Sequence, residues 1–228
     1  MPDILQEEAT RIRGLDVDHQ EILFDRNSWR KHIPDLDDLL AGIPGDLISR
    51  HTMYGIAPND PPLPAPCTPA RQADLRRFFI LVMIWGYGNV GTGPWRVSQM
   101  IASPRFPEIL CRVSEECFCG FFLKAYDTLI SNIKWLGPAF ASKYLYYFCR
   151  KVPAHVKPLI CDRVVLRAMR TFDWPAWCVN YIADGNTPRR QAHAYGQYLI
   201  LMHNWAHALG CRPDQLEYFL WRRGTEAI

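Results

Sequence analysis

The 228-residue chain has little of what would place it in a membrane, outside the cell or among disordered proteins. Its longest unbroken apolar run, Phe78 to Trp85, is eight residues, far short of the roughly 20 that a bilayer-spanning helix needs. The opening MPDILQEEATR is acidic and no apolar stretch follows it, the reverse of a secretory leader, so no membrane partner and a cytoplasmic location are expected. Internal repeats are missing, which excludes solenoids. Alternating apolar and polar runs, the mark of half-buried strands, are missing too. What is present is 49% apolar and 21% charged residue, a globular composition, with apolar positions recurring at three and four. An all-α fold is expected.

A core of this size needs no disulfide staples, and the eight cysteines are read as reduced thiols. The closest group, Cys111, Cys117 and Cys119, lacks a fourth cysteine at a spacing suited to zinc or iron–sulfur. Buried helix-face cysteines and no metal are expected. Acidic residues are scarce in the second half: residues 131–228 hold 13 Lys/Arg against 6 Asp/Glu, whereas residues 1–130 hold 13 against 17. Such asymmetry suits a polyanionic partner, whose phosphates release counterions when neutralised; a solvated basic face gives the same count.

Residues 1–57 read as an N-terminal segment of short helices, and the prolines between Pro58 and Pro69 as an extended connector over 58–70, since proline blocks helix and sheet interiors. Asp74 can then cap a helix from Leu75 to about Trp85. It runs into GYGNVGTG, residues 86–93. This GxGxxG lacks the preceding strand and βαβ unit of a dinucleotide site, so its glycines are read as a bend where backbone approaches another helix or a ligand. A helix starts at Pro94 and Trp95. Others fit Cys119 to Ile133, Ala139 to Phe148, Arg189 to Ala208 and Asp214 to Trp221, and Asp162 can cap one running to about Phe172.

The segment Trp135 to Met169, WLGPAFASKYLYYFCRKVPAHVKPLICDRVVLRAM, is the informative one. It resembles the helix-hairpin-helix DNA glycosylases, specifically the bacterial 8-oxoguanine glycosylase-like proteins. IWGYGNVGTGPWR upstream and RPDQLEYFLWRRG at the end also look like that subgroup, so the resemblance spans roughly Leu75 to Gly224. It implies two helical subdomains with the active site in the cleft between them, a core over 71–228, and a hairpin near 133–148. It also implies a monomer that needs no cofactor and acts on double-stranded DNA.

By that resemblance the hairpin Gly137, Pro138 and Ala139, with Arg163 nearby, would grip the DNA backbone, because a hairpin opening a helix aims N–H groups outward. Lys143 would attack the sugar, and Asp162, 19 residues on, would be the partner carboxylate. The residue types fit the chemistry. Breaking an N-glycosidic bond builds positive charge on deoxyribose, which a carboxylate stabilises, and an amine that displaces the base forms a Schiff base, opening a route to strand cleavage. Burial among Phe140, Tyr144 and Tyr147 would favour the neutral, nucleophilic amine. On spacing alone, Asp162 reads first as a plain helix cap and Lys143 as a surface lysine.

The usual hairpin has two glycines. Here Gly137 is followed by Pro138 and Ala139, and aligning Gly137 with the first glycine puts the expected lysine near Ala141, about 200° from Lys143 around the helix. A flipped base would find walls among Trp85, Tyr87, Trp95 and Trp205, and His203, one turn from His207, reads as pocket lining or helix packing before zinc. The first substrate expected is 8-oxoguanine. A hypermodified base of phage DNA in antiviral defence, a monofunctional enzyme using Asp162 to activate water, and a non-catalytic DNA-binding protein are the alternatives.

Overall fold

The computed structural model describes residues 1–58, 67–172 and 187–226. Its described elements are α1 (Asp3–Glu7), α2 (Ala9–Arg13), β1 (Glu21–Leu23), α3 (Arg26–Arg30), α4 (Leu36–Leu39), β2 (Leu47–Ser49), α5 (Arg50–Ile56), α6 (Pro69–Tyr87), α7 (Gly93–Ile101), α8 (Phe106–Phe118), α9 (Phe122–Asn132), α10 (Pro138–Phe148), α11 (Arg163–Arg170), α12 (Pro188–Leu209) and α13 (Pro213–Glu226). The fold is all-α, and the one described sheet is a two-stranded antiparallel ribbon pairing Glu21 with Ser49, Ile22 with Ile48 and Leu23 with Leu47. No described helix is long and apolar enough to cross a membrane.

The central element is α6. Thr68 Oγ1 accepts the Arg71 N–H and Pro69 takes the first turn, a stronger start than Asp74, so the helix begins six residues before Leu75. From Phe78 to Trp85 every residue is buried, as expected of a helix that is apolar all round. It packs on α8 and α10. The bounds of helix α8, which carries Cys111 and Cys117, were not expected; Pro107 sits in its first turn, where the missing N–H costs nothing. Gly120, at φ +77°, then breaks the chain, so the helix expected from Cys119 starts at Phe122.

The N-terminal segment docks on the C-terminal helices. Arg13 donates to the Leu209 carbonyl at 2.8 Å, and Gln215 to the carbonyls of Arg13 at 2.7 Å and Leu15 at 3.1 Å. Deeper in, Arg50 is fully buried and pairs with Glu217 at 2.9 Å, while donating to Gln20 Oε1 at 2.7 Å and Tyr146 Oη at 3.1 Å. Three aromatic faces, of Trp85, Tyr146 and Tyr218, lie within 6 Å of its guanidinium. A buried charge persists only when paired and hydrogen-bonded in this way. Burial would lower the Arg50 pKa, but Glu217 holds it well above the ordinary value, while burial pushes the Glu217 carboxyl up to about 7 against the pull of Arg50.

Of the expected connector, Pro61, Pro62, Pro64 and Pro66 lie outside the described residues, and Pro69 belongs to α6. Not all the cysteines are free: a disulfide joins Cys67, just before α6, to Cys111 of α8, with Cα atoms 5.9 Å apart. The two are 44 residues apart in sequence, and the α6–α8 packing, which no spacing rule exposes, brings them together. Cys117 and Cys149 are buried thiols and Cys119 is exposed.

Candidate active site

The site is built on the turn into α10. Ile133 and Leu136 are buried and anchor that turn, Trp135 between them points outward at φ +73°, and Gly137 leads into the helix as its cap. The Gly137 carbonyl accepts the N–H groups of Phe140 at 3.0 Å and Ala141 at 3.1 Å. Pro138 supplies a preset φ and no N–H. Gly137, Pro138 and Ala139 are each partly exposed, at the end of the helix where backbone donors lack intrahelical partners.

Two adjacent contacts settle which α10 residue meets Asp162. Ser142 Oγ accepts the Cys161 N–H at 3.0 Å and donates back to the Ala139 carbonyl at 2.9 Å. One residue along each strand of chain, Lys143 Nζ lies 2.8 Å from Asp162 Oδ2. Ala141 is wholly buried. The register of Ser142 on Cys161 therefore brings Lys143, and not position 141, to the carboxylate. The segment leading to Asp162 is also held by α12: Tyr195 Oη donates to the Leu159 carbonyl at 2.8 Å and Tyr198 Oη to the Ile160 carbonyl at 2.7 Å.

Asp162 caps α11 with Oδ1, which accepts the N–H groups of Val164 at 3.0 Å and Val165 at 3.1 Å. Oδ2 is left for Lys143. Burial opposes the ionised form, but the Lys143 ammonium and the hydrogen bonds from Lys143, Val165 and Val164 outweigh it and hold the carboxyl below its usual range. Arg163, the next residue, is exposed at the helix start. Helix α11 is seated by α13, where a Cβ on Gly224 would overlap the Val164 carbonyl, and Arg167 donates to the Gly224 carbonyl at 3.0 Å.

Lys143 is only 6% exposed. Its ammonium lies 5.6 Å from the centre of the Phe140 ring, and its stem runs across Gly86 of α6, where a Cβ would come within 3.1 Å of Lys143 Cδ and 2.6 Å of Phe140 Cε1. The first glycine of the Gly-rich stretch is thus a helix contact. Tyr144 and Tyr147 turn elsewhere: Tyr144 packs on Phe78, Phe79 and Phe148, and Tyr147 on Trp85. Of the three residues expected around the amine, Phe140 is the one in contact with it.

The aromatic residues expected around a flipped base lie apart. Trp85 is 4% exposed and sealed between Tyr147 and Arg50. Tyr87 stacks on Phe140 at 4.0 Å, which puts it beside the lysine. Trp95 is exposed on α7 and meets Trp135 edge-on at 5.7 Å. Trp205 is partly buried on α12. His203 Nε2 lies 3.0 Å from the Lys157 carbonyl and 3.2 Å from the same residue's N–H, donating to one or accepting from the other by tautomer, in a cavity of about 260 Å³ shared with Arg150, Arg212 and Asp214, so it ties down the loop before Leu159. Among the described residues, no group of three or more His, Cys, Asp or Glu is placed to hold a metal ion.

Sequence reasoning missed Ser142, Gly86, Tyr195, Tyr198 and the Arg50–Glu217 pair. Only the Gly-rich stretch carried a signal, through its implied close approach; the others act across contacts between elements far apart in sequence.

Over residues 15–221 the chain matches the profile of the family described as "Putative 8-oxoguanine DNA glycosylase OGG-like protein". The match takes in most of the N-terminal segment as well as the region from Leu75 onward. No curated protein and no solved structure matches the chain.

Proposed function

The chain belongs to the OGG-like DNA glycosylase family, and from that membership we propose that it excises a damaged base from duplex DNA with Lys143 as nucleophile and Asp162 as its partner carboxylate. The observation that carries this reading is the 2.8 Å contact between Lys143 Nζ and Asp162 Oδ2, midway along a helix that opens on a partly exposed hairpin. It sets an amine and a carboxylate side by side, the pair that displacement of the base by an amine would use.

In the reaction, the ammonium gives up its proton and the free amine attacks C1′. The C1′–N bond breaks, its electron pair leaves with the base, and the base takes up a proton. Positive charge that gathers on the sugar as the bond stretches is met by the Asp162 carboxylate. Opening of the sugar ring gives a Schiff base between Nζ and C1′; loss of a C2′ proton then expels the 3′ phosphate and cleaves the strand. The first substrate is 8-oxoguanine, the base the family description names. The base leaves the duplex by flipping, and Gly137, Pro138, Ala139 and Arg163 hold the DNA backbone.

The test is borohydride trapping on labelled duplexes bearing 8-oxoguanine or an abasic site, with piperidine-treated controls that score base release separately. Wild type is expected to trap on both, Lys143→Gln on neither. Trapping by Lys143→Gln, or none by wild type, refutes Lys143 as nucleophile. Base release that survives in Lys143→Gln and is lost in Asp162→Asn points to water activated by Asp162. With neither signal, duplexes carrying hypermodified phage bases are the next substrates.

A further inference from the structure

Trp135 is the one non-glycine among the described residues with positive φ, +73°. A bulky side chain there is strained, and such strain persists where the surroundings or the function demand it. Packing does not demand it: Trp135 is 46% exposed, and its contact across α7, Trp95, is 44% exposed. The two indoles form an edge-to-face pair at 5.7 Å, with the Lys134 ammonium 5.3 Å from the Trp135 ring. The pair stands immediately before Gly137, at the end of the helix that carries Lys143.

The chain on either side of each tryptophan carries charge of one sign, and Lys134 is the cation in contact with the pair. The stretches that hold the two tryptophans, residues 75–107 and 128–161, contain no Asp or Glu. Fixed cations beside exposed aromatic faces are the combination that binds nucleic acid with its bases unstacked. We propose that Trp95 and Trp135 form a stacking platform for a nucleobase displaced from the DNA helix beside the lesion, separate from the site where the excised base is held. The proposal deepens the glycosylase reading and rests on it for the partner. The strain has a purpose on this account: a glycine would make the turn at less cost but would leave no ring.

The test measures binding alone, by anisotropy of labelled duplexes that are either fully paired or interrupted by a tetrahydrofuran residue, which has no aldehyde and cannot form a Schiff base. Wild type is expected to prefer the interrupted duplex. Trp135→Gly, which removes ring and strain together, is expected to weaken that binding by about 5- to 150-fold, the equivalent of one stacked base, with little change on the paired duplex and a melting temperature no lower than wild type. Trp135→Phe should retain most of the affinity, and Trp95→Ala should repeat the loss from the other side of the pair. Equal losses on both duplexes, wild-type affinity in Trp135→Gly and Trp95→Ala, or no preference in wild type each overturn the platform. Preserved binding without base release on lesion duplexes would instead sink the glycosylase chemistry and leave the platform standing.

Discussion

Gly86→Ala separates the position of the lysine from the stability of the fold. The added methyl carbon would stand 2.6 Å from Phe140 Cε1, 3.0 Å from Phe140 Cδ1 and 3.1 Å from Lys143 Cδ, where comfortable carbon contacts are about 3.5–4.0 Å. Something must retreat by about 1 Å. Phe140, though partly exposed, is limited on one face by Tyr87, stacked on it at 4.0 Å, and Tyr87 is itself backed by Gly93, where a Cβ would come within 2.6 Å of the ring. The lysine stem, which the new methyl also meets, and the first turn of α10 that carries Phe140 are expected to share the shift.

Overpacking of this kind costs about 1–3 kcal/mol, and alanine in place of a helical glycine returns up to about 1 kcal/mol. The net loss of stability is small, about 0–2 kcal/mol by those two figures. Misplacing a reacting group by about 1 Å, in contrast, costs on the order of 100-fold in rate. Single-turnover trapping on an abasic duplex is expected to slow by about that factor, while thermal unfolding moves by only a few degrees. Gly86→Ala that traps at the wild-type rate would show that Lys143 is not positioned through this contact. A variant that loses rate and stability in proportion would make the effect one of folding alone.

Two further outcomes are expected. Reducing the Cys67–Cys111 bond, or Cys67→Ser, removes a cross-link between residues 44 apart; by the chain-entropy relation this lowers stability by about 4 kcal/mol, read as a fall of roughly 8–15 °C in melting temperature, and an unchanged melting curve would mean the bond is not formed in solution. Glu217, whose carboxyl is raised to about 7 in the folded protein against about 4.3 in an unfolded chain, binds a proton more tightly when folded, so its contribution to stability is full below about pH 4.3 and is lost as pH rises through about 7; denaturant titrations should show this decline, of the order of 3 kcal/mol, flattened in Glu217→Gln, and an identical slope in the variant would refute the assignment.

How much of this was legible in the sequence depended on the range of the interaction. Asp162 as a helix cap was legible because a cap is local: the carboxylate and the two N–H groups it accepts lie within three residues. The helix at Pro188–Leu209 was legible because 22 residues of regular spacing leave no rival period. The strands at Glu21–Leu23 and Leu47–Ser49 were not, since three residues are too few for alternation to register. Trp85 misled because aromatic character says nothing of direction; on a helix buried all round it faces the core, like its neighbours. The choice between positions 141 and 143 lay outside any local rule, because it is made by a hydroxyl of α10 on a backbone N–H 19 residues away.

The resting contact between Lys143 and Asp162 looks at first like an obstacle to the proposed chemistry, since an ion-paired amine is no nucleophile. The two carboxylate oxygens resolve it by having different tasks. Oδ1 is held by the N–H groups of Val164 and Val165, so the carboxylate cannot turn when the lysine leaves. Oδ2 has Lys143 as its hydrogen-bond partner. On the proposed chemistry, the lysine's swing to the sugar would uncover Oδ2 in an unchanged direction to meet the charge developing at C1′, in surroundings whose low dielectric strengthens the attraction. A carboxylate anchored by one oxygen can thus serve the lysine first and the sugar afterwards without reorganising. On this reasoning Asp162→Asn costs more than the lost contact with Lys143. The amide oxygen can still cap α11, but the side chain then presents a neutral NH₂ to the amine and to the sugar where a negative charge was needed.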